Sequence, residues 1–278
     1  MTALAKQILL LVLTSTSTLL FGLSIRTFLM LDILALSPDY LAELWIDIVV
    51  LLVSIGLFMT THSLAVTLIS SSNMLFLTFF GEGVLLTITL LPSLAGLPAG
   101  PLLVFSLLAF RFGVTRNLPL LRVFSVRLAL TGPQATLGFG ITLVVAIASG
   151  MAMMERLQTT PFTIPAALVE KSLGQGSSFL AERLDPSYRP IIGEVLKNPA
   201  VQEETLANLN RMIEPYLPFA PVIIGILVFF TLSSLMGFVD MAVLGLLHGL
   251  FRILPKIGFV GTVHTNEPTV RYTLDSPS

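Results

Sequence analysis

The fold is decided by one polar stretch, Glu155 to Glu214, with the sequence ERLQTTPFTIPAALVEKSLGQGSSFLAERLDPSYRPIIGEVLKNPAVQEETLANLNRMIE. These 60 residues hold 8 of the 16 Asp and Glu residues and 6 of the 15 Lys and Arg residues. The sequence on both sides is almost continuously apolar. We therefore expect a small water-facing region inserted between membrane-spanning segments.

The overall composition is that of an integral membrane protein. Hydrophobic residues make up 54% of the chain and charged residues 11%, against about 25% charged in a typical soluble domain. The net charge of −1 and the absence of a basic stripe give no reason to expect a nucleic acid partner. Without cysteine there are no disulfides or thiolate metal sites. The predicted fold class is an all-α polytopic protein, whose first partner is the lipid bilayer.

Several apolar segments approach the ~20 residues that cross a bilayer, and six spans are predicted, with a range of five to seven. The membrane domain, residues 1–154, is predicted to hold five of them. They are about 7–25, 46–68, 74–91, 101–114 and 137–154. An amphipathic helical insert, 155–216, follows, and a sixth span, Phe219–Phe238, lies in the next region, 217–260. The first segment resembles a signal sequence without a clear cleavage site, so it is expected to remain as a span.

The region after the sixth span is predicted from length and polarity. Met241–Leu254 has 14 residues and contains His248 and Arg252, which is short and polar for a span. We expect an interfacial helix there, and the alternative is a seventh span. Asp240 is then interpreted as an acid at the membrane interface. The last residues, 261–278, are polar and are expected to form a flexible tail.

Four arginines predict the orientation. No acidic residue lies between positions 111 and 134, which contain Arg111, Arg116, Arg122 and Arg127. The positive-inside rule places this side in the cytoplasm, so both termini are expected to be cytoplasmic and the 155–214 insert extracytoplasmic. A bacterial plasma membrane is the expected location. The same arginines form a candidate lipid-facing basic cluster, since 118–130 is apolar enough for an amphipathic surface helix.

The insert is predicted to contain short helices. Asn198 can cap the last one, with Pro199 at its first position and Glu203 near its positive end. Shorter helices are predicted within 163–173, 179–184 and 190–198 from similar signals. Small amphipathic helices cannot build a large core alone, so the 155–214 insert is a candidate surface for a protein partner.

Glu82 is the sharpest candidate for chemistry. An ionised carboxylate in mid-bilayer costs about 2.5 kcal/mol or more, so Glu82 should be protonated, paired or facing a wet cavity. Together with His62, Thr16 and Thr60 it forms a candidate intramembrane polar site. The alternatives are a glutamate that only ties helices together by hydrogen bonds, or one that lies nearer an interface.

Two small-xxx-small patterns permit close contact between helices. They are Ala146-xxx-Gly150 and Ser233-xxx-Gly237. Either they pack helices within one chain or they support a homo-oligomer, and the sequence leaves both open.

The motif search names no reaction. The sequence contains no HExxH, GxSxG or GxxxxGK[ST] motif, so we predict no catalytic residue, metal site or cofactor. The leading hypothesis is a non-enzymatic scaffold or assembly protein that binds partners through its insert. One alternative is a small transporter or channel subunit that uses Glu82. A second alternative is a membrane enzyme that acts on lipid or peptide.

Overall fold

A computed structural model describes most of the chain as helix. The described residues are 2–30, 38–69, 71–118, 125–159, 199–264 and 270–273. Their helices are α1 (Ala3–Met30), α2 (Pro38–Leu68), α3 (Ser72–Leu90), α4 (Gly96–Asn117), α5 (Val126–Thr159), α6 (Pro199–Ile213) and α7 (Ala220–Ile253). A 3-10 helix, Glu214–Phe219, joins α6 to α7. Six helices are long and apolar enough to cross a membrane, which confirms the prediction of an all-α polytopic membrane protein.

The six long helices pack as a closed circuit. Its order is α1, α2, α7, α5, α4, α3 and back to α1, and both α1 and α2 also reach α5. Large side chains such as Phe21, Phe58, Phe79 and Phe110 fill the interior. The outer surface is apolar as well. Helices that are apolar on every face suit a bundle surrounded by lipid.

Helix α5 begins earlier than the sequence predicted. The expected surface helix over 118–130 is wrong in its second part, because Val126–Leu130 form the start of α5 and Leu130 is fully buried. Residues 119–124 lie outside the described residues. Pro133 lies inside α5, although proline normally breaks a helix. Its ring packs on Gly113 of α4, where an added Cβ would lie 3.0 Å from Pro133 Cγ, so tertiary packing supports the helix at this point.

Helix α7 is continuous where the sequence predicted a break. A separate interfacial helix over Met241–Leu254 is wrong, and so is the alternative of a seventh span, because α7 runs from Ala220 to Ile253 without reversing. At 1.5 Å per residue its 34 residues measure about 51 Å, more than the ~30 Å hydrocarbon core. The helix continues because its buried stripe does: Val239, Val243, Leu247 and Phe251 repeat every four residues.

The two ends of the described bundle meet on one side. Lys6 Nζ, near the start of α1, donates a hydrogen bond of 3.0 Å to the carbonyl of Gly258, after α7. The same ammonium lies 5.7 Å from the centre of the Phe259 ring. Contact between these segments requires an even number of crossings, in agreement with six spans.

The predicted flexible tail contains a β-hairpin. Strand β1 (Gly261–His264) pairs antiparallel with β2 (Val270–Thr273), with Gly261 opposite Thr273. Four of the eight paired residues are Val or Thr, whose branched side chains favour extended backbone.

Of the helices predicted within the insert, the structure describes only the last. Helix α6 runs from Pro199 to Ile213, and its predicted cap, Asn198, lies outside the described residues. The helices predicted between 163 and 198 lie outside the described residues.

Glycines bring two pairs of helices into close contact. A Cβ on Gly150 of α5 would lie 2.9 Å from the carbonyl oxygen of Pro221 in α7, so the Ala146-xxx-Gly150 pattern packs helices within the chain. A Cβ on Gly100 of α4 would lie 2.5 Å from the carbonyl oxygen of Gly83 in α3. Gly237, in contrast, has no described atom within 4 Å of its Cβ position, and it faces outward.

Candidate intramembrane polar site

A buried His–Glu pair lies inside the bundle. Glu82 is the eleventh of the 19 residues of α3, so it lies near the middle of its span. Its Oε2 is 2.7 Å from Nε2 of His62 on α2. The exposed fraction of both side chains is close to zero, at 1% for Glu82 and 0% for His62.

The second ring nitrogen of His62 limits the proton arrangements. Nδ1 lies 2.7 Å from the carbonyl oxygen of Phe58, which can only accept, so Nδ1 carries the proton. Nε2 then either accepts a proton from a neutral Glu82 carboxyl or, in the imidazolium, donates to the Glu82 carboxylate. The pair can therefore exchange the charged and neutral forms across one hydrogen bond.

Aromatic side chains surround the pair. The Phe58 ring stacks on the His62 ring at 3.9 Å between centroids, and the Phe79 ring lies at 6.4 Å. These walls keep the local dielectric low, which strengthens the hydrogen bond and raises the cost of leaving either partner alone.

Three consecutive residues of α2 join it to three other helices. Thr61 Oγ1 lies 2.7 Å from Ser17 Oγ of α1, and His62 contacts Glu82 of α3. Ser63 Oγ accepts a 3.2 Å hydrogen bond from Nε2 of Gln134 on α5. All of these side chains are buried. We call Thr61, His62 and Ser63 the α2 junction.

Three buried oxygen atoms near the α2 junction can still accept a hydrogen bond. Among the described residues, Glu82 Oε1, Gln134 Oε1 and Asp240 Oδ1 have no hydrogen-bond partner. An unsatisfied buried polar atom costs about 1–3 kcal/mol. These atoms are therefore the places where a proton donor inside the bundle would bind best.

The predicted site residues do not all come together. His62 and Glu82 are in direct contact. Thr60 is buried, but its hydroxyl bonds the Gly56 carbonyl of its own helix at 2.7 Å. Thr16 does not belong to the site: it is exposed on the bundle surface and bonds Val12 at 2.8 Å. Helical Ser and Thr commonly bond back in this way, which is why a hydroxyl run is a weak signal.

Sequence reasoning missed Ser63 and Gln134 and misplaced Asp240. Gln134 follows Pro133 at the end of the arginine-rich stretch, so it was assigned outside the fifth span. A usable signal was its spacing of four from Gly138, which places both residues on one face of a helix. Asp240 lies within the continuous helix α7, with a buried Oδ1, rather than past the end of a helix.

The predicted basic cluster is spread over several environments. Arg111 bonds the Ser72 hydroxyl and carbonyl and lies 5.9 Å from the centre of the Phe76 ring. It therefore ties the end of α4 to the start of α3. Arg116 and Arg127 are exposed, and Arg122 lies outside the described residues. Lipid binding by the exposed arginines stays a prediction.

The fold and the site define a class: a polytopic all-α membrane protein with a buried titratable pair at the centre of its bundle. Within the described part of the chain, no group of three or more His, Cys, Asp or Glu could hold a metal ion. No family model, curated protein or solved structure matches this chain.

Proposed function

We propose that this protein carries protons across the membrane and that the His62–Glu82 pair is its proton-binding site. The observation that supports the proposal is a histidine–carboxylate contact of 2.7 Å, fully buried at mid-span. Histidine is the side chain whose protonation changes most readily near neutral pH. Intramembrane ionisable residues commonly mark proton and ion pathways.

The pair can bind and release a proton without large movement. In the resting form it holds two protons, one at Nδ1 and one shared between Nε2 and Glu82. An arriving proton gives an imidazolium beside a neutral carboxylic acid, with the extra charge in a low-dielectric interior. That charge is costly to hold, so the proton is passed on rather than stored. Glu82 Oε1 is buried and has no hydrogen-bond partner among the described residues, so it is the oxygen of the pair that is free to accept an arriving proton.

The first prediction is loss of proton flux in the variant Glu82→Gln. The purified protein is reconstituted in liposomes, and an imposed potential drives protons that an internal pH-sensitive dye reports. We expect at least a ten-fold lower rate than in the wild type, because the amide cannot take up the proton. Thr16→Val is the matched control, since Thr16 is exposed and bonded to its own helix. Wild-type liposomes without flux, or unchanged flux in Glu82→Gln, would refute the proposal.

We also propose that the basic side of the bundle faces the cytoplasm of a bacterial cell. Six basic residues lie at the described helix ends on the side of the Lys6–Gly258 contact: Lys6, Arg111, Arg116, Arg127, Arg252 and Lys256. Cytoplasmic segments carry such an excess of Lys and Arg. Both chain ends would then be cytoplasmic and the insert extracytoplasmic.

The second prediction tests this orientation with single cysteines. The chain has none, so Cys introduced at Ser187, Thr115 or Ser276 reports against a clean background. In intact cells an impermeant maleimide is expected to label only the Ser187 site. Labelling at Thr115 but not at Ser187 would show the inverted orientation.

The other two hypotheses stay predictions. A scaffold role depends on the 155–214 insert, of which the structure describes residues 155–159 and 199–214. Alanine blocks on the insert that leave every copurifying protein in place would count against that role. An enzyme acting on lipid or peptide would need a catalytic group, and we identify none among the described residues.

A further inference from the structure

We propose that Asp240 of α7 is a second proton-binding group in the same bundle, which exchanges protons with the His62–Glu82 pair. This inference depends on the proposed proton-carrying function and extends it. It adds α7 to the helices that take part in proton transfer.

The position of Asp240 follows from its neighbours across the helix contact. A Cβ on Gly138 of α5 would lie 3.6 Å from Asp240 Oδ1, 2.9 Å from Met236 Cε and 3.9 Å from Met59 Cε. The carboxylate thus lies where α2, α5 and α7 meet. Any larger side chain at position 138 would occupy this space.

Asp240 is one helical turn from the α2 junction on both neighbouring helices. Gly138 follows Gln134 by four residues on α5, and Met59 precedes Ser63 by four on α2. Residues four apart share a helix face. Gln134 therefore lies on the α5 face that packs near Asp240, displaced from Gly138 by about 5.4–6 Å along the helix.

Asp240 has the capacity to take up a proton. Its Oδ1 is buried and, in the described structure, has no hydrogen-bond partner. In the step we propose, the proton leaves the imidazolium of His62, and the Asp240 carboxylate becomes a neutral carboxylic acid.

Few other charges surround Asp240. The sequence of α5 has no titratable residue between Arg127 and Glu155, and α2 has only His62 after Asp47. On α7 itself the nearest titratable residue is His248, two turns away and exposed. His62 is therefore the titratable group on α2 and α5 best placed to exchange a proton with Asp240.

The test combines flux with infrared spectroscopy on the full chain. Asp240→Asn is nearly isosteric and removes only the proton-binding oxygen. We expect it to reduce proton flux at least ten-fold, and Asp240→Glu to retain part of it. Ser234→Ala is the matched control, since Ser234 is exposed on the same helix and bonds Thr231.

The infrared spectrum separates this inference from the proposed function. During a pH titration the wild type is expected to show two buried carboxylic acid bands, of which Glu82→Gln loses one and Asp240→Asn the other. If Glu82→Gln abolishes flux while Asp240→Asn conducts normally and keeps both bands, this inference is wrong and the proposed function stands. If the wild type conducts no protons, both are wrong.

Discussion

Replacing His62 alone with leucine is expected to lower the free energy of unfolding of the bundle by about 3–5 kcal/mol, the usual effect of removing one partner from a buried pair. The reason is that Glu82 stays behind in an apolar interior, with Oε2 also unpaired. The double variant His62→Leu/Glu82→Leu removes both polar groups and is expected to regain most of that loss. Titration with SDS in mixed micelles measures the unfolding of each variant.

The double variant also separates folding from transport. It is expected to be about as stable as the wild type and to carry no protons. If the effect of the double variant instead equalled the sum of the effects of His62→Leu and Glu82→Leu measured separately, the two side chains would not interact in the folded protein. Thr60→Val provides a comparison on the same helix, because Thr60 bonds only the Gly56 carbonyl of its own turn.

The second large effect is expected for Gly100→Ala. Its new methyl group would lie 2.5 Å from the Gly83 carbonyl oxygen and would also meet the Thr87 hydroxyl. Thr87 Oγ1 already bonds the carbonyls of Gly83 at 3.0 Å and Gly96 at 3.1 Å. Because a backbone oxygen cannot rotate away, α3 and α4 must separate, and we expect a loss at the upper end of the overpacking range, about 3 kcal/mol.

Gly81→Ala is the matched control for Gly100→Ala. Gly81 lies on α3 two residues before Gly83, and no described atom is within 4 Å of its Cβ position. This variant is expected to be neutral or slightly stabilised, by up to about 1 kcal/mol, because alanine favours helix. Thermal unfolding in detergent compares the two, and similar melting temperatures for both would contradict the close approach of α3 and α4.

Much of the fold could be predicted because the length of an apolar run can be read directly from the sequence. Most of the six spans follow from apolar runs near 20 residues, and each predicted span lies in a helix of the structure. The errors occur where local signals and packing disagree. The fifth span was predicted to begin at about residue 137, but α5 begins at Val126 and continues through Pro133, whose ring packs on Gly113. Asp240 reads as an interface residue, but the buried stripe from Val239 to Phe251 continues α7 past it.

The site could be predicted only as separate residues. Glu82 and His62 are each unusual in an apolar run, so both were found. Their contact joins residues 20 apart on different helices, and no local pattern encodes it. Gln134 was missed because its partner is 71 residues away, and because uncharged Gln and Ser side chains are much less unusual in a span than a carboxylate.

The α2 junction limits how this protein can move. Successive side chains on a helix point about 100° apart, so Thr61, His62 and Ser63 anchor α2 in three directions at once. A rotation of α2 about its own axis would break all three contacts, so α2 is expected to keep its orientation. Any opening of the bundle during a transport cycle would then fall to α4 and α7, the two long helices that the junction does not bind.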